Sequence, residues 1–553
     1  MKVSKDPKGI KREYDDAVSF NTKIELYDNV KKNHNFYIGK QWEGVYAPDL
    51  DKPVMNFIKR VIGYQTAMLV SDDIGVSITP FNEDDQDQQM LSKVIAKEID
   101  RALEKSKFKA KTRKVLKEAA ITGDGCFYFW FDPSAETGQK VKGIIQVDQI
   151  DAVNIMFGNP YSADVQTQPY ILISQRRSIE SVKLEAEENG LNAEQIDSIK
   201  PDNDSTQVND DDTDKLCTVI IKLYKENKTV EEADEYTGLP IKKEVKAVKF
   251  MKTVGDIILK EEVDTGMTLY PIAFMNWEEQ KNCYHGQSPI TGLIPNQIFV
   301  NKLFAMCMVF VINNGFPKLL YDSGKVAEIT NAVNDAIAIE RMDLAGDLLR
   351  YTQTPDFSNQ ILQLIDTCIN YTRDFMGASD AALGNVKPDN TSAIIATQQA
   401  TAIPLENQRL NFFDFVEDSV RIMVDMMAAY YGIRQAKIES EDDMQGGIID
   451  LDFSVLREMN YDLNVDIGAS SYWSELVQTQ TMDNLLTKGV IQDAVTYLEN
   501  IPDHMVKNKQ KLIDSIKKKQ FEQEQQAQAM ALAQAGIDPA AMQQSPADNA
   551  GLI

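Results

Sequence analysis

The fold of this chain is decided by residues 356–432, which read DFSNQILQLIDTCINYTRDFMGASDAALGNVKPDNTSAIIATQQATAIPLENQRLNFFDFVEDSVRIMVDMMAAYYG. Apolar residues recur at helical spacing at both ends of this stretch, and a polar segment rich in Gly, Asn and Thr separates them. The stretch therefore predicts two helices joined by a loop. It contains no arrangement of nucleophile, base or metal ligands, which favours a moving part over an active site.

The first helix of this pair is predicted to end at Met376. Gly377 follows it as a C-terminal cap, because glycine readily adopts the left-handed conformation in which helices end. The apolar face of this helix is predicted to contain Ile361, Leu364, Ile365, Cys368 and Ile369.

The second helix of the pair is predicted to run from a cap at Thr391 and Ser392 to Gly432. Pro404 lies inside it, and an interior proline removes one backbone hydrogen bond and bends a helix. The buried face of this helix is predicted to contain Phe412, Val416, Val420, Met423 and Met427.

The residues before this pair predict helices followed by antiparallel strands. The pattern from Tyr14 to Phe81 is typical of two helices joined by a loop, followed by a short strand at its end. Residues 216–277 alternate between apolar and polar side chains with turn signals between the runs, which predicts an antiparallel meander. An aromatic cluster in the first region is interpreted as core or subunit interface; its members are Phe36, Tyr37, Trp42 and Tyr46.

Composition limits the classes of function. The 553 residues are 43% apolar, enough for three or four domains or for one multi-lobed subunit, and 84 acidic against 58 basic residues give a net charge of -26. Such a charge argues against a tight binder of duplex DNA, because that binding uses many Lys and Arg contacts to phosphates. The basic block that stands out is formed by Lys507, Lys509, Lys511 and Lys517 to Lys519.

Cysteine use and hydropathy predict a cytosolic protein without a membrane span. The five cysteines have no paired spacing, which is typical of reduced thiols, and the charged residues 1–16 do not resemble a secretory signal. The longest unbroken apolar run, Leu303 to Ile312, is shorter than the roughly 20 residues that cross a bilayer.

Several short motifs follow one another along the chain. They are Phe36-Tyr37-x-Gly39-x-Gln41-Trp42, Lys52-Pro53-x-Met55-Asn56-x-Ile58, Gly123-Asp124-Gly125, Gly286-Gln287-Ser288-Pro289-Ile290, Asn313-Asn314-Gly315-x-Pro317, Met376-Gly377, Leu383-Gly384 and Asn390-Thr391-Ser392-Ala393. Because these motifs occur in this order and at this spacing, the chain resembles bacteriophage portal proteins. These proteins form the rings through which a viral genome enters and leaves the capsid. The resemblance covers nearly the whole chain.

The resemblance implies an α+β, mainly helical subunit that assembles as a ring with a wing, a two-helix stem, a clip, a kinked spine helix and a helical crown. The expected regions are an N-terminal wing over 1–288, a first stem helix over 289–314, a clip over 315–355, a second stem helix over 356–376, a tunnel loop over 377–392, a spine helix with a return to the wing over 393–470, crown helices over 471–525 and a disordered tail over 526–553.

The resemblance also implies a function and partners. Twelve copies would form a ring at the capsid vertex, conduct double-stranded DNA during packaging and ejection, and contact the major capsid protein. The ring would dock the terminase and later a neck or tail adaptor, first in the host cytoplasm and then in the virion. No enzymatic activity, cofactor or metal is expected.

Two sets of site residues follow from this interpretation. The tunnel loop is expected to contact DNA weakly and without sequence specificity, with Lys387 as the main contact; its candidates are Gly377, Gly384, Asn385, Lys387, Asn390, Thr391 and Ser392, and Pro404 marks the helix kink. The clip is expected to bind partners through Asp335, Glu340, Arg341, Asp343, Asp347 and Arg350.

Two alternative functions belong to other classes of protein. An enzyme is disfavoured because the sequence has no GxxxxGK[ST], HExxH or GxSxG motif and no paired Cys or His ligands. Another structural virion component, such as a neck adaptor or an ejection protein, remains the alternative to the portal.

Overall fold

The computed structural model describes residues 3–48, 50–69, 74–80, 86–202, 215–233, 240–315, 319–322, 337–339, 349–351, 359–377, 403–437, 448–457 and 461–467, and short segments between 482 and 518. The chain divides into two compact units, Met1–Ile467 and Gly468–Ile553. Within the described part of the second unit, the helix Ala494–Glu499 contributes Val495 and Leu498 to a small core that also contains Ile513.

The first unit combines helices with antiparallel sheets. Its helices are α1 (Pro7–Lys23), α2 (Leu26–Ile38), α3 (Phe57–Leu69), α4 (Gln86–Lys105), α5 (Phe108–Thr122), α6 (Ile179–Glu188), α7 (Ala193–Asp197), α8 (Pro289–Asn314), α9 (Asn359–Phe375) and α10 (Glu406–Tyr430). Its strands are β1 (Ile74–Pro80), β2 (Asp124–Asp132), β3 (Ile144–Gln149), β4 (Ile155–Phe157), β5 (Tyr170–Ser178), β6 (Leu216–Ala233), β7 (Pro240–Val254), β8 (Ile257–Asp264), β9 (Ile272–Asn276), β10 (Leu319–Asp322), β11 (Ile337–Ile339), β12 (Leu349–Tyr351), β13 (Ile433–Lys437), β14 (Ile448–Asp452) and β15 (Tyr461–Ile467).

Two of the sheets form the body of the unit. The larger has the order β4-β5-β6-β7-β8 and is antiparallel throughout, and the other has the order β3-β2-β9. The meander predicted from the alternating sequence is confirmed as β6, β7 and β8. β1 pairs with β15 in antiparallel register, from Ile74 opposite Ile467 to Pro80 opposite Tyr461. Distant parts of the chain are thereby joined.

The N-terminal region contains three helices where the sequence predicts two. α1 ends where Glu25 takes a left-handed backbone conformation with φ +56°, and α2 starts directly after it. The apolar spacing continues across this break, so the hydrophobic pattern alone did not reveal it. Strand β1 is confirmed at the predicted position.

Helix α10 lies in the largest core, which also includes residues of α3, α4, α5, α8, β2 and β3. The predicted face is confirmed, because Phe412, Val416, Val420, Met423 and Met427 are all buried. Burying a side chain of this size contributes about 1.5–3 kcal/mol relative to leaving it exposed. α10 therefore fixes the centre of the unit.

Helix α9 buries a narrower face than the sequence predicts. Ile365 is buried, and Ile361, Cys368 and Ile369 are partly buried against the same core, but Leu364 is 48% exposed. The prediction was wrong for Leu364. The five cysteines are unpaired, as expected.

Among the described residues, α8 is one helix that is long and apolar enough to cross a membrane by length and composition alone, with a mean hydropathy of 1.4 over its most apolar window. The prediction that no segment spans a membrane was based on the longest unbroken apolar run, which does not reflect the mean hydropathy of a whole helix. Gln297 and Asn301 of this helix are buried and hydrogen-bonded to other parts of the unit. The first half of α8 therefore packs in the core of the unit, whereas Met306, Val311 and Ile312 in its second half are exposed.

Candidate functional site

The candidate site is the joint at which α8 is fixed to the sheet containing β2. Gly123 precedes β2, Gly286 precedes α8, and the two backbones touch: a Cβ atom on either glycine would lie 2.7 Å from the carbonyl oxygen of the other. Gly123 also has φ +111°, which side chains other than glycine rarely adopt. The glycines of two separate motifs are therefore required by one close approach.

A buried carboxylate connects the two segments. Asp124 is 2% exposed and accepts hydrogen bonds from Asn276 Nδ2 at 2.7 Å, from the Gly286 backbone N–H at 2.6 Å and from His285 Nδ1 at 2.6 Å. Since a carboxylate only accepts, Nδ1 of His285 carries the hydrogen. Such bonds to a charged acceptor are stronger than neutral ones, so this group holds the joint firmly.

The ring of His285 lies between this carboxylate and an aromatic cluster. The Tyr284 ring centroid lies 3.9 Å from that of His285 and 4.7 Å from that of Phe157. The Tyr284 hydroxyl donates to the Ile155 carbonyl at 3.1 Å, and burial raises its pKa. Among the described residues, His285 Nε2 is buried without a hydrogen-bond partner.

The start of α8 is capped on the far side of the same joint. Ser288 Oγ accepts from the Ile290 backbone N–H at 3.1 Å and donates to the Ala120 carbonyl at 2.7 Å, near the end of α5. Pro289 occupies the first helical turn, where its missing N–H costs nothing. The motif from Gly286 to Ile290 thus both begins α8 and ties it to the helix before β2.

A buried amide network holds the next turns of α8 to the N-terminal motifs. Asn301 Nδ2 donates to Gln41 Oε1 at 2.6 Å, and Asn301 Oδ1 accepts from the Met55 backbone N–H at 3.1 Å. Gln297 Nε2 donates to the Met55 carbonyl at 2.7 Å. The motifs around residues 36–42 and 52–58 therefore both dock on α8.

Further side chains shape these N-terminal motifs. Asn56 Oδ1 accepts from the Lys59 backbone N–H at 3.1 Å and so caps α3, while its Nδ2 donates to the Tyr37 carbonyl at 3.0 Å. Trp42 Nε1 donates to the Pro53 carbonyl at 2.9 Å. Of the aromatic cluster, Phe36 and Tyr37 pack in the core, Trp42 is half-buried, and Tyr46 is 93% exposed.

The two long helices α8 and α9 pack against one another beyond the joint. Asn296 Nδ2 of α8 donates to Thr372 Oγ1 of α9 at 3.2 Å. Gln65 of α3 donates through Nε2 to the Met376 carbonyl at 3.2 Å, at the end of α9. A cavity of about 280 Å³ lies beside these contacts, lined in part by Trp277, Ser288 and Pro404.

The structure describes some of the predicted site residues, and the others lie outside the described ranges. Gly377 follows α9 with φ +73°, which confirms it as the cap of that helix. Pro404 lies in a short 3-10 turn, Ile403–Leu405, directly before α10. Arg350 lies on β12, opposite Leu320 of β10. The other tunnel-loop and clip candidates lie outside the described residues: Gly384, Asn385, Lys387, Asn390, Thr391, Ser392, Asp335, Glu340, Arg341, Asp343 and Asp347.

Pro404 is not in the interior of α10, which begins at Glu406. The predicted helix upstream of it, over 391–402, lies outside the described residues. The kink at Pro404 therefore stays a prediction.

A basic surface on the first unit was overlooked in the sequence. Residues 105–117 contain seven Lys or Arg and no acidic residue, a denser block than the one at 507–519. The spacing of these basic residues was visible in the sequence, but they alternate with the apolar residues that predict an amphipathic helix. The structure places these residues at the end of α4 and along α5.

The described residues contain no group of three or more His, Cys, Asp or Glu side chains placed to hold a metal ion. Apart from His285 Nε2, the polar side-chain atoms described at the joint bind one segment of the chain to another. The site therefore fixes the start of α8 to the sheet containing β2 and to α5.

A comparison with family models identifies the class of protein. The chain belongs to the phage P22-like portal protein family, whose model matches residues 11–551. Portal proteins are structural, and the family implies a homo-oligomeric ring at the capsid vertex in contact with capsid and terminase. The family match decides against the neck adaptor and the ejection protein. No individual curated protein matches the chain.

Proposed function

We propose that this chain forms a ring of twelve copies through which double-stranded viral DNA is packaged and later ejected. In this proposal the ring assembles in the host cytoplasm, docks the terminase, and afterwards offers the same surface to a neck or tail adaptor. Family membership supports this role. A conduit requires a ring. A head-to-tail contact between identical copies forms a ring when the rotation that relates one copy to the next closes on itself.

The observation that carries the proposal is the apolar surface of the helix pair. α8 and α9 pack together, yet their outer sides expose large apolar residues: Phe299, Met306, Val311, Ile312, Leu362, Leu364, Tyr371 and Phe375. Met306 is 66% exposed and Phe375 is 83% exposed. Soluble monomers rarely leave such an extended apolar patch in water, so we assign it to neighbouring copies.

The acidic charge of the chain fits the proposed conduit. Each copy contributes a net charge of -26, and a channel wall with this sign would repel the phosphate backbone from all sides. Repulsion would prevent the tight phosphate contacts that would stall a moving duplex.

The loop and clip residues enter the proposal as contact sites. The loop from Gly377 to Ser392 would touch the DNA, with Lys387 as its main contact. The clip residues from Asp335 to Arg350 would exchange polar contacts with successive partners. Lys387→Glu is expected to lower the yield of filled heads, and an unchanged yield would remove Lys387 from the proposal.

Ring formation is tested directly by electron microscopy of the purified chain. The double variant Met306→Ser, Phe375→Ser should form fewer rings with a central hole than the unaltered chain at the same high concentration. The matched control is Tyr161→Ser, Leu184→Ser, whose side chains are 66% and 60% exposed elsewhere on the unit. Equal ring yields for both variants, or no rings from the unaltered chain, would count against the proposal.

A further inference from the structure

We propose that the basic surface at the end of α4 and along α5 binds the phosphate backbone of duplex DNA outside the conduit. This surface comprises the exposed residues Lys105, Lys107, Lys109, Arg113, Lys114 and Lys117; Lys111 is half-buried and donates to the Val147 carbonyl instead. The proposal concerns a different part of the unit from the helix pair, so it does not depend on ring formation.

The geometry of α5 places its cations on one side. Lys109, Arg113 and Lys117 follow one another at a spacing of four residues, which aligns them along a helix, and Lys114 lies beside them. All four are exposed, whereas Val115, Leu116 and Ala119 on the opposite side are buried. The solvent face of α5 is therefore cationic along its length.

The surface continues into the preceding turn. Lys105 is in the last turn of α4, and Lys107 adopts a left-handed conformation with φ +53° between the two helices; both are exposed. From Lys107 to Lys117 the helix rises about 15 Å, which matches roughly four base pairs of duplex. Several lysines are thereby in reach of consecutive phosphates.

Three lysines of this surface, Lys105, Lys107 and Lys114, are exposed and have no ion pair with a described residue. Glu98 is ion-paired with Arg101 within α4. Glu118 is half-buried, and burial raises its pKa. Glu104 is exposed and is the nearest acidic residue on the α4 side. Lys105, Lys107 and Lys114 therefore present positive charge to solvent on a chain whose overall charge is -26.

The composition of the surface favours DNA over a protein partner. Protein interfaces depend on aromatic and Arg anchors, whereas contacts to a phosphate backbone are commonly made by lysines. Between residues 105 and 117 the aromatic ring is Phe108, which is buried, and six of the seven cations are lysines. The side chain of Lys117 lies 5.3 Å from the centre of the Tyr37 ring, which holds this cation at the surface of the helix layer.

A closed circular duplex separates this surface from the conduit. Such a circle cannot be threaded through a ring that is already assembled, so its binding reports an outer surface. The variant is Lys105→Gln, Lys107→Asn, Lys114→Gln; asparagine is chosen at 107 because it tolerates the left-handed conformation. The matched control is Lys8→Gln, Lys23→Gln, Lys200→Gln, three exposed lysines whose loss changes the net charge equally.

Binding of full-length protein to the relaxed circle is measured over a range of salt concentrations. We expect the slope of log K against log salt to fall by about 0.9 for each lysine that contacts a phosphate, hence by up to about 2.7 for the variant, with no change in the control. Equal slopes in variant and control, or no binding by the unaltered chain, would overturn the proposal. A variant that binds the circle normally but loses an acidic protein partner would also overturn it. Ring yield by microscopy is scored separately, so failure here is distinct from failure of the proposed conduit.

Discussion

Replacing Asp124 by alanine should destabilise the first unit by about 4 kcal/mol. The substitution removes the acceptor for three donors at the joint, and Asn276 Nδ2 keeps its second acceptor, the Tyr284 carbonyl at 2.9 Å. The Gly286 N–H and His285 Nδ1 are then left buried without their acceptor. Each buried unsatisfied group costs about 1–3 kcal/mol, which gives a range of about 2–6 kcal/mol.

Asp124→Asn separates the charge from the hydrogen bonds. Its amide oxygen can still accept from Asn276 and Gly286, and its amino group can donate to His285 if the ring moves its hydrogen to Nε2. That hydrogen would then be buried without an acceptor, because Nε2 has no partner among the described residues. We expect a loss of about 1–2 kcal/mol, smaller than for alanine.

Urea unfolding of the unaltered chain, both variants and Asp256→Ala measures these effects. Asp256 is exposed in the turn between β7 and β8, so its substitution should change the free energy of unfolding by less than about 0.5 kcal/mol. The reasoning is refuted if Asp124→Ala unfolds within about 1 kcal/mol of the unaltered chain. It is equally refuted if the asparagine variant loses as much as the alanine variant.

Three further predictions concern the joint, the amide network and the response to acid. Gly286→Ala should cost about 1–3 kcal/mol in urea unfolding because its Cβ would meet the Gly123 carbonyl, whereas Gly292→Ala in α8, with nothing within 4 Å, should be neutral or slightly stabilising. Asn301→Leu should lower the free energy of unfolding by about 2–4 kcal/mol because Gln41 and Met55 lose their buried partner, and an effect no larger than that of exposed Lys302→Gln would contradict this. Although burial opposes it, hydrogen bonds from Lys249, Lys5 and Tyr224 lower the pKa of Glu262 from 4.5 to about 2. Its folded-state pKa is depressed, so its stabilising contribution is present above pH 4.5 and is lost as the pH falls toward about 2; unfolding followed through this window should show a weaker pH dependence for Glu262→Gln than for the unaltered chain.

The regular elements were predictable because their patterns are local. The face of α10 from Phe412 to Met427 follows helical spacing, and the strands β6 to β8 follow strand alternation, so both were found from the sequence. The cap at Gly377 followed from glycine's tolerance of positive φ. The break at Glu25 was missed because no glycine or proline marks it.

The joint was only half predictable. The motifs around Asp124 and Gly286 were noticed as parts of a resemblance, but their direct contact spans about 160 residues of sequence. No local pattern states that an aspartate will accept from a glycine N–H so far along the chain. The exposure of Leu364 was missed for a related reason: spacing along α9 indicates which residues share a face, but not how wide a face its neighbours cover.

The pairing of β1 with β15 has a consequence for biosynthesis. Ile74 cannot meet Ile467 until almost 400 further residues have been made, which takes roughly 20–80 s at a synthesis rate of about 5–20 residues per second. During that time β1 presents an unpaired edge on the ribosome-bound chain. Crowded polysomes translating this message would therefore bring many such edges together, and chaperone demand should be highest before codon 467 is read.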